Sequence, residues 1–319
     1  MAIIDVFNGD ADGLCALHQL RLADPQDSTL ITGVKRDIAL VRQVHASAGD
    51  TVTILDVSLD RNRDALLAVL DTGATVIYAD HHFPGEIPQH ARLTTHIDTA
   101  AETCTGLIIN ELLDGRYLPW AVTAAFGDNL HARATQAAGP LELSAGELEQ
   151  LKTLGTLLNY NSYGSTLEDL YFLPAELYRR LQPHTSPFSF IVDDPAFATL
   201  AEGYASDHAR ACAIEADRST EHMAIFIFPN DPFARRISGV YANELAQQNP
   251  LRAHALLSEL DDGSYLVSVR SPLHNRSGAD ELCRQFDTGG GRKAAAGINC
   301  LPASELDRFA SAMRRQFTP

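Results

Sequence analysis

The stretch TVIYADHH at residues 75–82 joins a short apolar run to a carboxylate and two imidazoles. Its first four residues are mostly β-branched or aromatic, which predicts a buried strand over 75–78. Asp80, His81 and His82 follow directly after that strand. The stretch therefore predicts polar side chains at a strand end.

Three more acidic signals come after similar apolar runs. Asp10 and Asp12 follow the run at residues 3–7, Asp56 follows the run at 51–55, and Asp128 stands after an apolar stretch in Phe-Gly-Asp-Asn. Oxygen and imidazole ligands that converge are what a site for hard to borderline divalent metals requires.

Strand and helix patterns alternate over the first hundred residues. Strands are predicted at 3–7, 29–32, 51–55 and 75–78, with a weaker one at 95–97, and helices at 37–48 and 60–70 between them. This alternation favours an α/β fold with a doubly wound, mainly parallel sheet, whose ligands bind beyond the carboxyl ends of the strands. Such a sheet would bring Asp10, Asp12, Asp56, Asp80 and His81 to one edge.

The rest of the chain predicts a helical region and then a second, smaller α/β domain. Helical patterns dominate residues 104–180, and residues 183–195 have the composition of a connector. We predict a first domain at 1–185, a linker or connecting helix at 186–220, and a C-terminal domain at 221–319, with an active-site cleft between the two domains.

Composition excludes several classes of protein. The chain has 319 residues and a formal net charge of −16, so it is unsuited to coating a long nucleic-acid duplex, which needs many phosphate contacts from Lys and Arg. No apolar run reaches membrane-spanning length. The five scattered cysteines form no CxxC pair, and no secretory leader is recognisable, so a cytoplasmic protein with reduced thiols is expected.

Taken in order and spacing, these motifs resemble those of the DHH phosphoesterase superfamily. The first is Asp10-Ala11-Asp12-Gly13, and Asp56, Asp80-His81-His82 and Asp128 follow it. A C-terminal segment with Arg270 and the run GGGRKAAAG at 289–297 resembles the DHH-associated C-terminal domain. The resemblance is closest to the branch of nanoRNase/pAp phosphatases and RecJ-like nucleases.

The resemblance implies a role for each site residue. Asp10 would bind one metal ion, Asp12, His81 and Asp128 would bind a second, and Asp56 would bridge the two. His82 would act in catalysis by contacting the substrate phosphate, and Asp80 would orient His81. The substrate would be bound by glycine backbone and basic side chains of the C-terminal domain: Arg270, Gly289, Gly290, Gly291, Arg292 and Lys293.

Two positions depart from the family pattern. Val6 stands where relatives usually place a metal-binding His, and it cannot coordinate, so Asn8 is the remaining candidate for an oxygen ligand. We expect the first metal position to be weak or empty. Arg292 stands where relatives carry the His of a GGGH motif, and Arg cannot act as a general acid near neutral pH. We expect this position to bind substrate and to alter substrate choice.

Ordinary structural roles compete with these assignments. Asp at a strand end is most often a helix N-cap or a turn residue, and this applies to Asp10, Asp12 and Asp56 singly. Asp128 also fits an ordinary Gly-Asp-Asn turn, and Gly289–Gly291 fits a flexible turn. The ordered set of motifs favours metal ligation.

The expected function is hydrolysis of phosphoester bonds by metal-activated water in a small nucleotide-like substrate. Candidates are a short oligonucleotide, a dinucleotide or a nucleoside bisphosphate. The alternatives are a pyrophosphate or polyphosphate hydrolase and a catalytically weakened nucleotide-binding protein. The expected cofactor is Mn²⁺, as one or two ions, with Mg²⁺ as the alternative. No membrane partner is expected, short single-stranded nucleic acid is an admissible partner, and a homodimer stays open.

Overall fold

The computed structural model describes residues 1–318. They divide into two compact units, Met1–Glu202 and the part of the chain from Gly203 onward. The boundary falls within residues 186–220, the segment predicted to connect two domains.

The first unit is built on a five-stranded sheet in which every pairing is parallel. The spatial order is β2-β1-β3-β4-β5, with β1 at Ile3–Phe7, β2 at Thr29–Ile31, β3 at Thr51–Leu55, β4 at Thr75–Asp80 and β5 at Leu93–Ile97. The parallel α/β fold predicted from the sequence is confirmed. The register places Phe7, Leu55 and Ala79 side by side at the carboxyl edge.

Helices surround this sheet and extend beyond it. They are α1 (Ala11–Ala23), α2 (Leu59–Asp71), α3 (Thr105–Leu112), α4 (Leu118–Gly127), α5 (His131–Ala137), α6 (Ala145–Ser162), α7 (Pro174–Leu181), α8 (Pro187–Asp193) and α9 (Pro195–Cys212). Helix α1 packs against α3, α4 and α6, so the residues that begin α1 lie close to the starts or ends of its neighbours. Val6, Ile54 and Tyr78 are fully buried in the sheet core.

The helix predicted at 37–48 is wrong. The structure has a single 3-10 turn there, Leu40–Gln43. The cause is a tertiary contact, because the side chain of Asn62 accepts a hydrogen bond from the Val41 amide and donates one to the Ile38 carbonyl. These bonds replace helical ones. The segment predicted as a connector at 183–195 instead contains α8, which begins with proline at its first position.

The second unit is a mixed six-stranded sheet with helices. Its spatial order is β10-β11-β9-β8-β7-β6, and only β7 and β8 pair in parallel among these strands. The elements are β6 (Arg218–Ser219), β7 (Met223–Phe228), α10 (Pro232–Gln248), β8 (Ala253–Glu259), β9 (Tyr265–Arg270), α11 (Ala279–Cys283), β10 (Gly289–Gly291), β11 (Ala295–Leu301) and α12 (Leu306–Phe317). Across residues 1–318, no helix combines the length and apolarity needed to cross a bilayer.

Candidate metal centre

The carboxyl ends of three adjacent strands are tied together by backbone hydrogen bonds. The Asn8 amide donates to the Leu55 carbonyl at 3.3 Å, and the Asp56 amide donates to the Ala79 carbonyl at 3.0 Å. Asn8, which follows β1, therefore lies beside the end of β3, and Asp56, which follows β3, lies beside the end of β4. This is the convergence at the sheet edge that the parallel pattern predicted.

His81 lies in the middle of three carboxylates. Its Nε2 atom is 3.4 Å from Asp56 Oδ1, 3.9 Å from Asp12 Oδ2 and 3.9 Å from Asp128 Oδ2. Two atoms bound to one ion at roughly 2.1 Å each are about 3–4 Å apart. Each of the three carboxylates therefore lies at a distance from His81 that suits two ligands of one divalent cation.

The amino terminus of α3 holds Asp12 in place. The amides of Thr105 and Gly106 donate to the two carboxylate oxygens of Asp12 at 2.8 and 2.7 Å, and the Thr105 hydroxyl donates to Asp56 Oδ1 at 3.2 Å. A side chain at Gly106 would meet Ala124 at 2.5 Å, so only glycine permits this approach. The sequence analysis did not predict that α3 would orient these two carboxylates.

Asp56 has a left-handed backbone conformation, with a φ of 56°. Asp adopts this region more readily than most residues, and such conformations cluster at functional sites. Burial raises the pKa of Asp56 well above its usual value, and the charges of Asp12 and Asp10 add to this effect. Asp56 is thus a buried acid that faces other acids.

Asp10 has two structural partners. Its Oδ1 accepts hydrogen bonds from the amides of Asp12 and Gly13, so it is the N-cap of α1. Its Oδ2 accepts a hydrogen bond from the ammonium of Lys35. Burial alone would raise the pKa of Asp10, but the charge and hydrogen bond of Lys35 lower it below the usual value. The N-cap alternative considered from the sequence therefore holds for Asp10.

His82 lies at the exposed side of the centre. Its side chain is 43% exposed, and its Nδ1 atom is 2.7 Å from Asp80 Oδ1. Burial alone would lower the pKa of His82, but the hydrogen bond to Asp80 and the charges of Asp56 and Asp80 raise it. Asp80 bonds to His82 in this structure, and the expectation that Asp80 orients His81 stays a prediction. Asp80 contacts His82 because side chains two residues apart at a strand end lie on the same side.

The remaining first-unit candidates lie nearby with different partners. Asn8 Oδ1 accepts a hydrogen bond from the Asp10 amide at 3.2 Å, and the Asn8 amide group donates to the Lys35 carbonyl at 3.4 Å. Val6 is fully buried and offers no ligand. Burial raises the pKa of Asp128 to about 6, a shift opposed by Lys35 and increased by Asp12.

These side chains fit a divalent metal ion. Asp12 and Asp56 are almost completely buried, and Asp128 is largely so. Like charges at such distances repel strongly when they are removed from water, and a bound cation relieves this. Asp56, His81 and His82 also present ligand atoms within 4.8 Å of one another. The oxygen-rich set with one or two imidazoles suits Mn²⁺ or Mg²⁺ better than a thiolate metal.

The candidates of the second unit gather at one end of its own sheet. Gly291 pairs with Ala296, and the adjacent Ala295 pairs with Arg270 on the next strand. Arg270 donates to Asn243 Oδ1 at 2.7 Å and to the Ser268 hydroxyl at 3.0 Å, whereas Arg292 and Lys293 are exposed.

Gly289 and Gly291 are each required by the structure, for different reasons. A side chain at Gly289 would collide with the Cys283 carbonyl, and Gly291 has a φ of 137° in the hairpin that joins β10 to β11. At Gly290 a side chain would meet open space. The run therefore forms a strand and a turn and not a flexible segment. Gly290 is the glycine of the three whose place could hold a side chain without a steric clash.

Comparison with solved structures shows which fold this is. A DHH-domain protein described as a member of the s1p family of ribosomal proteins superposes with a TM-score of 0.67 at 14% identity, covering 98% of this chain and 86% of that one. The chain has the fold of the DHH-domain proteins. An exonuclease RecJ bound to manganese shares the DHH fold with a TM-score of 0.55 at 19% identity, over 98% of this chain and 89% of that one.

A third structure with the DHH fold is the pGpG-specific phosphodiesterase PggH from Vibrio cholerae. It gives a TM-score of 0.56 at 15% identity and covers 99% of this chain and 98% of that chain. No protein-family model and no curated protein sequence matches the chain. At these identities the likeness establishes the DHH fold.

Proposed function

We propose that this protein is a metal-dependent phosphoesterase that hydrolyses a small nucleotide-like substrate. The observation that carries the proposal is the placement of His81 Nε2 within 3.4–3.9 Å of carboxylates from Asp12, Asp56 and Asp128. Two of these residues, Asp56 and His81, directly follow strands, Asp12 lies in the first turn of α1, and Asp128 caps the end of α4, so regular elements hold all four. A rigid set of oxygen and nitrogen ligands is the protein's main contribution to this type of catalysis.

Each residue has a role that follows from its contacts. Asp12, Asp56, His81 and Asp128 would hold a divalent ion. When bound, that ion would neutralise charge on the transferring phosphoryl group and acidify a water molecule. The α3 amides keep the Asp12 carboxylate from rotating. Thr105 does the same for Asp56 through its hydroxyl.

His82 is the group best placed to contact the substrate phosphate. It is more exposed than the four ligands, and its hydrogen bond to buried Asp80 favours the protonated ring. An imidazolium near the phosphoryl oxygens would stabilise negative charge that develops in the transition state. Asp80 would act by fixing the orientation and protonation of His82.

Several observations favour a small substrate over a long polymer. The net charge of −16 opposes binding along an extended nucleic acid. One structural neighbour is a pGpG-specific phosphodiesterase, which makes a linear dinucleotide the first candidate, and short oligonucleotides and nucleoside bisphosphates follow. Arg270, Arg292, Lys293 and the Gly290 backbone would bind the nucleotide, because arginine offers a planar fork to phosphate. The five unpaired cysteines accord with a cytoplasmic setting.

A nucleotide-binding protein with weakened catalysis is the second candidate. Val6 and the engagement of Asp10 by Lys35 favour it, because both reduce the capacity of the centre for metal. Tight nucleotide binding without turnover would support this alternative.

The test is product release from pGpG, a short oligoribonucleotide, 3′-phosphoadenosine 5′-phosphate and pyrophosphate, each with Mn²⁺ and with a chelator. We expect Mn²⁺-dependent hydrolysis of at least one nucleotide substrate by the wild type and none by Asp56→Asn. The matched control is Asp71→Asn, an exposed aspartate at the end of α2, which should behave like the wild type. Hydrolysis of pyrophosphate alone, or no hydrolysis by a folded, metal-bound protein, would overturn the proposal.

A further inference from the structure

Asp10 is not among the four proposed metal ligands, and a lysine, Lys35, lies beside it. The ammonium of Lys35 donates hydrogen bonds to Asp10 Oδ2 and, at 3.0 Å, to Asn159 Oδ1. It also lies 4.0 Å from Asp128 Oδ1 and 5.6 Å from the centre of the Tyr163 ring. Its side chain is only 24% exposed. A lysine buried to this degree needs such partners, because an unpaired buried ammonium is costly.

Lys35 is held at both its backbone and its side chain. The Lys35 amide donates to the Ser162 carbonyl at the end of α6 at 3.0 Å, and the Asn8 side chain donates to the Lys35 carbonyl. Asn159 lies in the last turn of the same helix. It is buried, and its side-chain oxygen accepts a hydrogen bond from the Lys35 ammonium. Contacts with α6 and with the sheet edge therefore fix the position of Lys35 in the centre.

The residues just before Asp10 give it little help in binding an ion, and the acid that lies within hydrogen-bonding reach of Asp10 is Asp56. Val6 is buried and apolar, Asn8 Oδ1 accepts the Asp10 amide, and Asp10 Oδ1 caps α1. A divalent ion at Asp10 Oδ2 would lie within about 4 Å of the ammonium, a distance at which like charges repel strongly away from bulk water, and more so for a divalent ion. Lys35 and a metal ion are therefore alternative occupants of this position.

Asp128 links the lysine to the proposed metal position. Its Oδ1 faces Lys35 at 4.0 Å, and its Oδ2 faces His81 Nε2 at 3.9 Å. In two-metal sites the ions are about 3.5–4 Å apart and share a carboxylate. In this protein the Asp128 carboxylate lies between the Lys35 ammonium and His81.

We propose that Lys35 is a permanent cation of the centre that takes the place of one of two metal ions, so that the protein binds a single divalent ion at Asp12, Asp56, His81 and Asp128. Lys35 supplies the positive charge beside Asp10 that an ion would otherwise provide. The inference depends on the metal centre, and it does not depend on which phosphoester is cleaved.

The test is the number of Mn²⁺ ions bound per chain, measured by calorimetric titration of metal-free protein. We expect one ion in the wild type, in Lys35→Arg and in Val6→His, since each retains a cation beside Asp10. The Val6→His/Lys35→Gln double variant should bind two ions, because it gains a ligand and loses the competing charge. The control Lys152→Gln, which removes an exposed lysine paired with Glu149, should bind one.

The electron paramagnetic resonance spectrum of bound Mn²⁺ gives a second readout. The wild type should show the hyperfine pattern of an isolated ion, and the double variant the broadened spectrum of a coupled pair. Two ions in the wild type, two ions in Val6→His with Lys35 intact, or one ion in a folded double variant would each overturn the proposal. If the double variant does not fold, the wild-type and Val6→His results decide.

The outcomes separate this inference from the proposed function. One bound ion without turnover of any phosphoester would refute the function and retain the role of Lys35. Two bound ions with turnover would refute the role of Lys35 and retain the function.

Discussion

The Nε2 atom of His81 lies 3.4 Å from Oδ1 of Asp56, although the two residues follow different strands and are separated by an entire helix in the sequence. The parallel pairing of β3 with β4 brings them together. This pair is the shortest of the contacts between His81 and the three carboxylates, so it defines the position where an ion would bind.

Removal of the His81 imidazole should abolish tight metal binding. We expect His81→Ala to weaken Mn²⁺ affinity by at least about 100-fold, since loss of partners outside the ligand shell alone costs 10–100-fold. Isothermal titration calorimetry measures this directly. The control is His45→Ala, an exposed histidine that precedes β3, which should leave the affinity unchanged. Equal affinity in the wild type and His81→Ala would refute the ligand assignment.

Asp80 should affect turnover more than metal binding, because its hydrogen bond goes to His82. We expect Asp80→Asn to lower kcat by about 10–100-fold while the Mn²⁺ affinity changes little, since Asn does not stabilise a protonated His82 as a carboxylate does. Parallel kinetics and calorimetry on the same sample separate the two effects. A large loss of metal affinity with an unchanged kcat would show that Asp80 acts through the metal ligands instead.

The buried ion pair between Asp5 of β1 and Arg21 of α1 should matter for stability alone. Asp5 is fully buried and Arg21 nearly so, and the guanidinium donates to both Asp5 oxygens at 2.5 and 2.9 Å. Arg21→Met should reduce the free energy of unfolding by about 3–5 kcal/mol because it leaves a buried carboxylate unpaired. Urea unfolding measures this. The Asp5→Leu/Arg21→Met double variant should recover most of the loss, and failure to do so would contradict this explanation.

His18 should make the stability depend on acidity. Burial lowers the pKa of His18 to about 4, whereas the unfolded value is about 6.5. Between these values the unfolded chain takes up a proton that the folded chain does not, so this contribution to stability is complete above pH ~6.5 and is lost as the pH falls towards ~4. The loss amounts to about 3 kcal/mol.

The measurement is urea unfolding of the wild type and His18→Gln at several pH values. Gln can still donate to the His184 carbonyl, which the His18 ring contacts at 2.8 Å. The difference in stability between the two proteins should shrink or reverse as the pH is lowered. A difference that does not change with pH would refute the role of His18. His254, whose pKa burial also lowers to about 4, is retained in both proteins and cancels in the comparison.

The sequence predicted the parallel sheet and its polar edge because both depend on local patterns. Apolar runs such as 51–55 mark strands, and parallel pairing then fixes which ends meet. The approach of His81 to Asp56 follows from this order of strands, whereas Asp12 and Asp128 reach His81 from helices α1 and α4. The failure at 37–48 came from the side chain of Asn62, whose bonds to this segment no local pattern predicts.

Lys35 and the α3 amides escaped prediction for a related reason. Lys35 lies far from Asn159 and Asp128 in the sequence, and a single lysine after a short strand usually indicates an exposed surface. Thr105 and Gly106 act through backbone amides, which any residue provides. One signal was available: Val6 in place of a ligand implied that Asp10 needed another partner, and a search for a buried cation could have suggested Lys35.

The most direct test of the metal centre is an anomalous difference map from crystals of the protein soaked in Mn²⁺. We predict one strong peak enclosed by Asp12, Asp56, His81 and Asp128, with the ammonium of Lys35 still beside Asp10. A map in which those four residues enclose no Mn²⁺ peak, while Mn²⁺ binds elsewhere or not at all, would contradict the account.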